Sequence, residues 1–179
     1  AAQLVLSSFT NQGSIRDGFF GTARSFTNTG TIGSTSLAGG AVSIDSANDV
    51  SFVNSGRISG DDSYQTVHLS TYAGSIVATN TGSIEGGLTA SAGNYFGYSD
   101  ASLPSSAISL TNAGVISSAV QAVSLYIIDW TGLSGTVSLA NSGTIEAAGP
   151  GGAGASVGVY SYSDLTGPAT IGVTNSGTI

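Results

Sequence analysis

His68 is the one histidine in this 179-residue chain, so it is the first residue to ask about catalysis. It stands at an outward position of the alternating run TVHLS, in one expected column with Ser43 and Ser124. A serine hydroxyl beside an imidazole makes a nucleophile and its base, provided that an acid orients the ring. No carboxylate has an evident place for that task. The one Gly-x-Ser-x-Gly phrase, GASVG at 154–158, lies in the glycine-rich run GGAGASVGV and not at a strand-to-helix turn, so it supports no nucleophile elbow. The 10 acidic residues are scattered, and only Asp61 and Asp62 are adjacent, in the turn-like phrase SGDDS. Glycosidase carboxylates face one another across a bond, and neighbours on one loop rarely do. Cysteine is absent, which removes disulfides, thiolate metal sites and thiol nucleophiles together. GGAGASVGV has the glycines of a calcium-binding nonapeptide but lacks its aspartate. The residues point to no catalytic, cofactor-binding or metal-binding set.

The residues that do recur are amides. Asn11, Asn28, Asn54, Asn80, Asn112, Asn141 and Asn175 each begin the phrase Asn-x-Gly-x-Ile, as in FTNTGTI, FVNSGRI and LANSGTI. The intervals between them are 17, 26, 26, 32, 29 and 34 residues. A fixed phrase with elastic spacing suits one copy per coil of a solenoid, with extra residues bulging at corners. The local pattern is alternation, the mark of a strand with one buried face. Apolar pairs precede each motif on the asparagine's parity, including Val50/Phe52, Ile76/Ala78, Ile108/Leu110, Val137/Leu139 and Ile171/Val173. A third alternation falls mid-interval: Val42/Ile44, Val67/Leu69, Val123/Leu125 and Val157/Val159. It is poorly defined in the first interval and between Gly86 and Ser106.

Three short strands per coil, over six to seven coils, describe an all-β fold, a parallel β-helix (β-solenoid) forming one domain over residues 1–179. Like residues then stack on like at the spacing of about 4.7–4.9 Å between paired strands. Inward asparagines would form an amide ladder. The following glycine is expected to supply a backbone angle that other residues resist. GPGGAGAS, from Gly149 to Ser156, reads as a corner loop inside one interval. The last motif ends at Ile179 without a polar cap, which suggests a segment of a longer rod or a subunit stacking end to end.

Charge narrows the partners. The chain has 3 cations, all arginine, against 10 acids, a net −7. It cannot neutralise a run of phosphates, so nucleic-acid binding is excluded, as is docking on anionic lipid. No apolar stretch reaches the roughly 20 residues of a spanning helix, so no membrane insertion by this segment is expected.

The motifs FTNTGTI, FVNSGRI, ATNTGSI, LANSGTI and VTNSGTI, at irregular spacing from Asn11 to Ile179, resemble bacterial autotransporter passenger domains. Haemagglutinin-type β-helical adhesins have similar repeats. The resemblance implies a right-handed parallel β-helix displayed outside Gram-negative cells, and it implies the handedness, which the pattern does not. It brings no catalytic signature to these positions.

Two surface patterns bear on contact. Tyr126, Tyr160 and Tyr162 take outward positions of the mid-interval strand, with Tyr72 and Trp130 nearby, and exposed aromatics in a row can stack on sugar rings or on a protein. Thr27/Thr29/Thr31, Thr79/Thr81/Ser83, Ala140/Ser142/Thr144 and Thr174/Ser176/Thr178 form a grid that resembles ice-binding β-solenoids. The expected function is a non-enzymatic extracellular structural and adhesive rod on a bacterial surface, needing no cofactor. Its partners would be a glycan or a protein of a host or sister cell, with end-to-end or lateral self-association into fibres. The alternatives are a polysaccharide-cleaving β-helix enzyme, through Asp61, Asp62 or His68, and ice binding.

Overall fold

The computed structural model describes residues 5–34, 40–60, 65–93, 106–129, 135–161 and 168–179. Among them every regular element is a strand, and all strand pairs are parallel. The chain winds through three faces per coil, as the three alternations require. The mid-coil face holds the start of Phe19–Asn28, then Val42–Ser46, Val67–Thr71, Leu88–Ala92, Gln121–Asp129 and Ala153–Ser161. The ladder face, named for its asparagines, holds Val5–Asn11, the end of Phe19–Asn28, Val50–Asn54, Ile76–Asn80, Ser106–Asn112, Gly135–Asn141 and Ala169–Asn175. The isoleucine face is a separate 6-stranded sheet of short strands from Ser14–Ile15 to Thr144–Ala147. Phe19–Asn28 runs unbroken round one corner, which joins the first two faces into a 12-stranded sheet.

Two mid-coil strands were not evident from the pattern. Phe19–Gly21 pairs with Val42–Ile44, and Leu88–Ala92 lies between Val67–Thr71 and Gln121–Asp129. In the second, Ala90 and Ala92 fill the inward positions, too small to stand out as an apolar alternation.

The register stacks like on like, so side chains of one kind pack in columns through the core. Ile32, Ile58, Ile84, Ile116 and Ile145 are all fully buried and lie opposite one another in successive coils. Phe9, Phe26 and Phe52 pair in register, with ring centroids 5.2 and 5.5 Å apart and planes 17° and 8° from parallel. Each fully buried side chain of this size stabilises the fold by about 1.5–3 kcal/mol before entropy is counted. Val42/Ile44, Val67/Leu69 and Val123/Leu125 close the core from the mid-coil face. Ile171 and Val173, in the last strand, are 52% exposed.

Candidate functional site

The asparagines meet as expected. Nδ2 of each donates to Oδ1 of the next, at 2.8 Å, in six rungs that link Asn11, Asn28, Asn54, Asn80, Asn112, Asn141 and Asn175. The first six are buried, and Asn175 in the last coil is exposed. The same nitrogen reaches two backbone carbonyls. For Asn54 these are Gly56 in its own coil and Ser83 in the next, both at 3.3 Å. A buried amide costs free energy unless its groups are bonded, and the ladder bonds them.

Glycine has a different role from the expected one. None of the motif glycines has a positive φ; among the described residues the glycines that do are Gly18, Gly86, Gly87, Gly93 and Gly151. What the motif needs is a missing side chain. A Cβ on Gly30, Gly56, Gly82, Gly114, Gly143 or Gly177 would lie 2.0–2.1 Å from the carbonyl oxygen of the preceding motif glycine. Gly13 has nothing within 4 Å.

The residue between asparagine and glycine completes the corner. Thr29, Ser55, Thr81, Ser142 and Ser176 donate their hydroxyls, at 3.3–3.5 Å, to the asparagine carbonyl of the coil before. That carbonyl also accepts backbone N–H groups; Asn54, for example, takes those of Thr81 at 2.8 Å and Gly82 at 3.2 Å. This role was legible only as a preference for Thr and Ser. It also corrects the threonine grid. Thr27 ends the ladder face, Thr29 lies in the corner, and Thr31 begins the isoleucine face, so the grid folds round an edge instead of lying flat.

Of the expected aromatic row, the described residues place Tyr126 beside Tyr160 and set Tyr72 apart. Tyr126 and Tyr160 meet edge to face with centroids 6.4 Å apart, and Tyr160 is 55% exposed. They are diagonal neighbours, since Tyr126 pairs with Gly158 and Tyr160 with Ile128. Tyr72 is exposed but follows Val67–Thr71, three coils from the strand of Tyr160. Trp130 and Tyr162 lie outside the described residues, as do Asp61 and Asp62.

His68 stands between Ser43 and Thr89, and Ser124 is two coils away because Leu88–Ala92 intervenes. Asp45 is opposite Ser70, not His68. The structure therefore brings a serine and a threonine beside the imidazole but sets no carboxylate opposite it in register. Sequence reasoning missed the pairing of Arg57 with Glu85, whose carboxylate accepts Nε at 2.9 Å and Nη2 at 2.6 Å. The hydrogen bonds from Arg57, aided by Ser83, hold the Glu85 carboxyl below its ordinary range. The signal was positional: Arg57 precedes one motif isoleucine and Glu85 follows the next.

No protein-family model, no curated protein and no solved structure matches the chain. The fold and its corner define the class, a parallel β-solenoid with an internal amide ladder.

Proposed function

We propose that this chain is a non-enzymatic extracellular structural and adhesive β-helix, displayed on a bacterial surface. Its partners are glycans or proteins of a host or sister cell, and like rods associating end to end or side by side. The observation that carries this reading is the unbroken ladder: six amide rungs in register, five of them buried, give long, stiff faces to a chain with few ionisable groups. A rod of this kind presents many weak polar contacts at fixed spacing, which suits adhesion. The Tyr126–Tyr160 pair, half-buried Tyr126 beside exposed Tyr160, adds an aromatic platform for a sugar ring or a protein side chain.

A glycan array and a cell-binding assay with the intact protein, beside a Tyr126→Ala/Tyr160→Ala variant, test the reading. Adhesion by the wild type, weakened in the variant, is the expected result. Undiminished adhesion removes the tyrosine pair from the account, and hydrolysis of any polysaccharide overturns the non-enzymatic reading.

A further inference from the structure

The corner between the mid-coil and ladder faces steps outward along the first coils. Phe19–Asn28 passes it without a break, the next coil inserts residues 47–49, and the one after inserts residues 72–75. The two inserted segments stack tightly, since a Cβ on Gly74 would lie 2.6 Å from the backbone of Asn48 and Asp49. Residues of both segments line one pocket with Arg24 of the unbroken strand. The step leaves a cleft of about 660 Å³ lined by Arg24, Asn48, Asp49, Ser51, Ser75 and Val77, among others. That size falls within the roughly 300–1,000 Å³ of small-ligand clefts.

The lining has a definite chemistry. Arg24 is exposed and makes no ion pair among the described residues, although the chain carries 10 acids for 3 cations. Arg57, by contrast, is neutralised by Glu85. Asp49 lines the same cleft, but its Oδ1 is committed to the backbone N–H of Ser75 at 2.8 Å. Val77, 55% exposed, supplies an apolar rim. A guanidinium matches a carboxylate through two parallel hydrogen bonds. Hydroxyl partners beside it, and an apolar edge, match the rest of a sugar ring. A polyanion is disfavoured by Asp49 in the cleft and by the net −7 of the chain.

We infer that this cleft binds a carboxylate-bearing sugar at the end of a glycan, with Arg24 taking the carboxylate and Asp49, Asn48 and Ser51 the ring hydroxyls. The inference rests on the adhesive reading and names a ligand class and a site for it, apart from the tyrosine pair.

Titration calorimetry of the intact protein tests it, with sialyllactose against lactose and a glucuronic-acid disaccharide against its glucose counterpart. At least one acidic sugar should bind, and its neutral counterpart should bind at least about tenfold more weakly. Arg24→Gln should lose about tenfold, Arg24→Lys less, and Arg57→Gln nothing. Asp49→Asn keeps an oxygen for the Ser75 N–H and removes a like charge, so it should bind the acidic sugar more tightly. Arg24 is exposed, and a melting curve for Arg24→Gln that overlays the wild type shows the fold intact. Equal binding of acidic and neutral sugars, unchanged binding by Arg24→Gln, or no binding of either acid overturns the inference. Cell adhesion without acidic-sugar binding overturns the cleft alone. Acidic-sugar binding through Arg24 without adhesion supports the cleft and overturns the adhesive reading.

Discussion

Two corners flank the ladder face, and they follow opposite rules. At the Asn-x-Gly corner every coil repeats the same asparagine and glycine, with one residue between them, in the same register. At the other corner the described coils range from an unbroken strand to insertions of different length. The difference lies in what each backbone touches. At the first, glycine lies against the carbonyl of the previous glycine, and amide rungs tie each coil to the next. Neither a side chain nor an extra residue fits there. At the second, segments of different length are tied to the neighbouring coil by contacts that do not repeat, such as Gly74 against Asn48 and the Ser75 N–H on Asp49 Oδ1 at 2.8 Å. The invariant corner holds the rod together, and the variable corner is free to carry contacts such as the Arg24 cleft.

The largest effect should come from filling the first corner. Gly82→Ala places a Cβ 2.1 Å from the Gly56 oxygen, a backbone atom that can yield only if coils part. We expect a loss of about 3 kcal/mol or more in urea unfolding. Gly13→Ala, where nothing lies within 4 Å, should stay within about 0.5 kcal/mol of wild type. Equal losses in the two variants would break the distinction between a close-stacked corner and an ordinary turn.

Asn80→Leu removes the rungs to Asn54 and Asn112 and leaves the Asn112 oxygen without its donor. The expected cost is about 1–3 kcal/mol. A melting temperature equal to the wild type would show that the amides are spectators.

Lengthening the second corner should cost far less. Doubling the segment of residues 72–75 by inserting Gly-Ser-Gly-Ser after Tyr72 adds loop entropy of about 0.6 kcal/mol. A loss as large as that of Gly82→Ala would mean that both corners are equally constrained.

The smallest effect belongs to Arg57→Gln. Both partners of this ion pair are well exposed, so water screens it and the change in melting temperature should be about 1 °C or less. Its sign in pH is fixed. The Glu85 carboxyl titrates lower in the folded chain, so the stability it adds is whole above its unfolded value and is lost as pH falls through the folded one. Melting curves taken across the acid range should therefore converge for wild type and variant at low pH. A gap that widens as pH falls would contradict the pairing.

Much of the fold was legible because a solenoid writes its architecture into its period. Each Asn-x-Gly-x-Ile phrase marks one coil, and the parity of Ile32, Phe52 or Asn80 gives its face. The glycine's role was not legible as stated, because contact between coils joins residues 17–34 apart and leaves no local trace. A preference for left-handed backbone and a lack of room for Cβ look identical in one sequence. Leu88–Ala92 escaped notice because alanine fills inward positions without announcing them. The Arg57–Glu85 pair and the Arg24 cleft escaped because they depend on which residues adjacent coils bring side by side. Elastic corner lengths hide that until the register is known. Of the surface residues, Tyr126 and Tyr160 were placed together by parity, whereas Tyr72 was not, since strand count separates it from them.

The amide ladder is tested most directly by hydrogen exchange of the asparagine side chains, followed by NMR in deuterated water. Asn28, Asn54, Asn80 and Asn112 are fully buried, and each Nδ2 donates along the ladder and to backbone carbonyls, whereas Asn48 is exposed at the variable corner. The Nδ2 hydrogens of those four residues should exchange orders of magnitude more slowly than those of Asn48, alongside the most protected backbone amides. Exchange of the four at the rate of Asn48 would contradict the ladder.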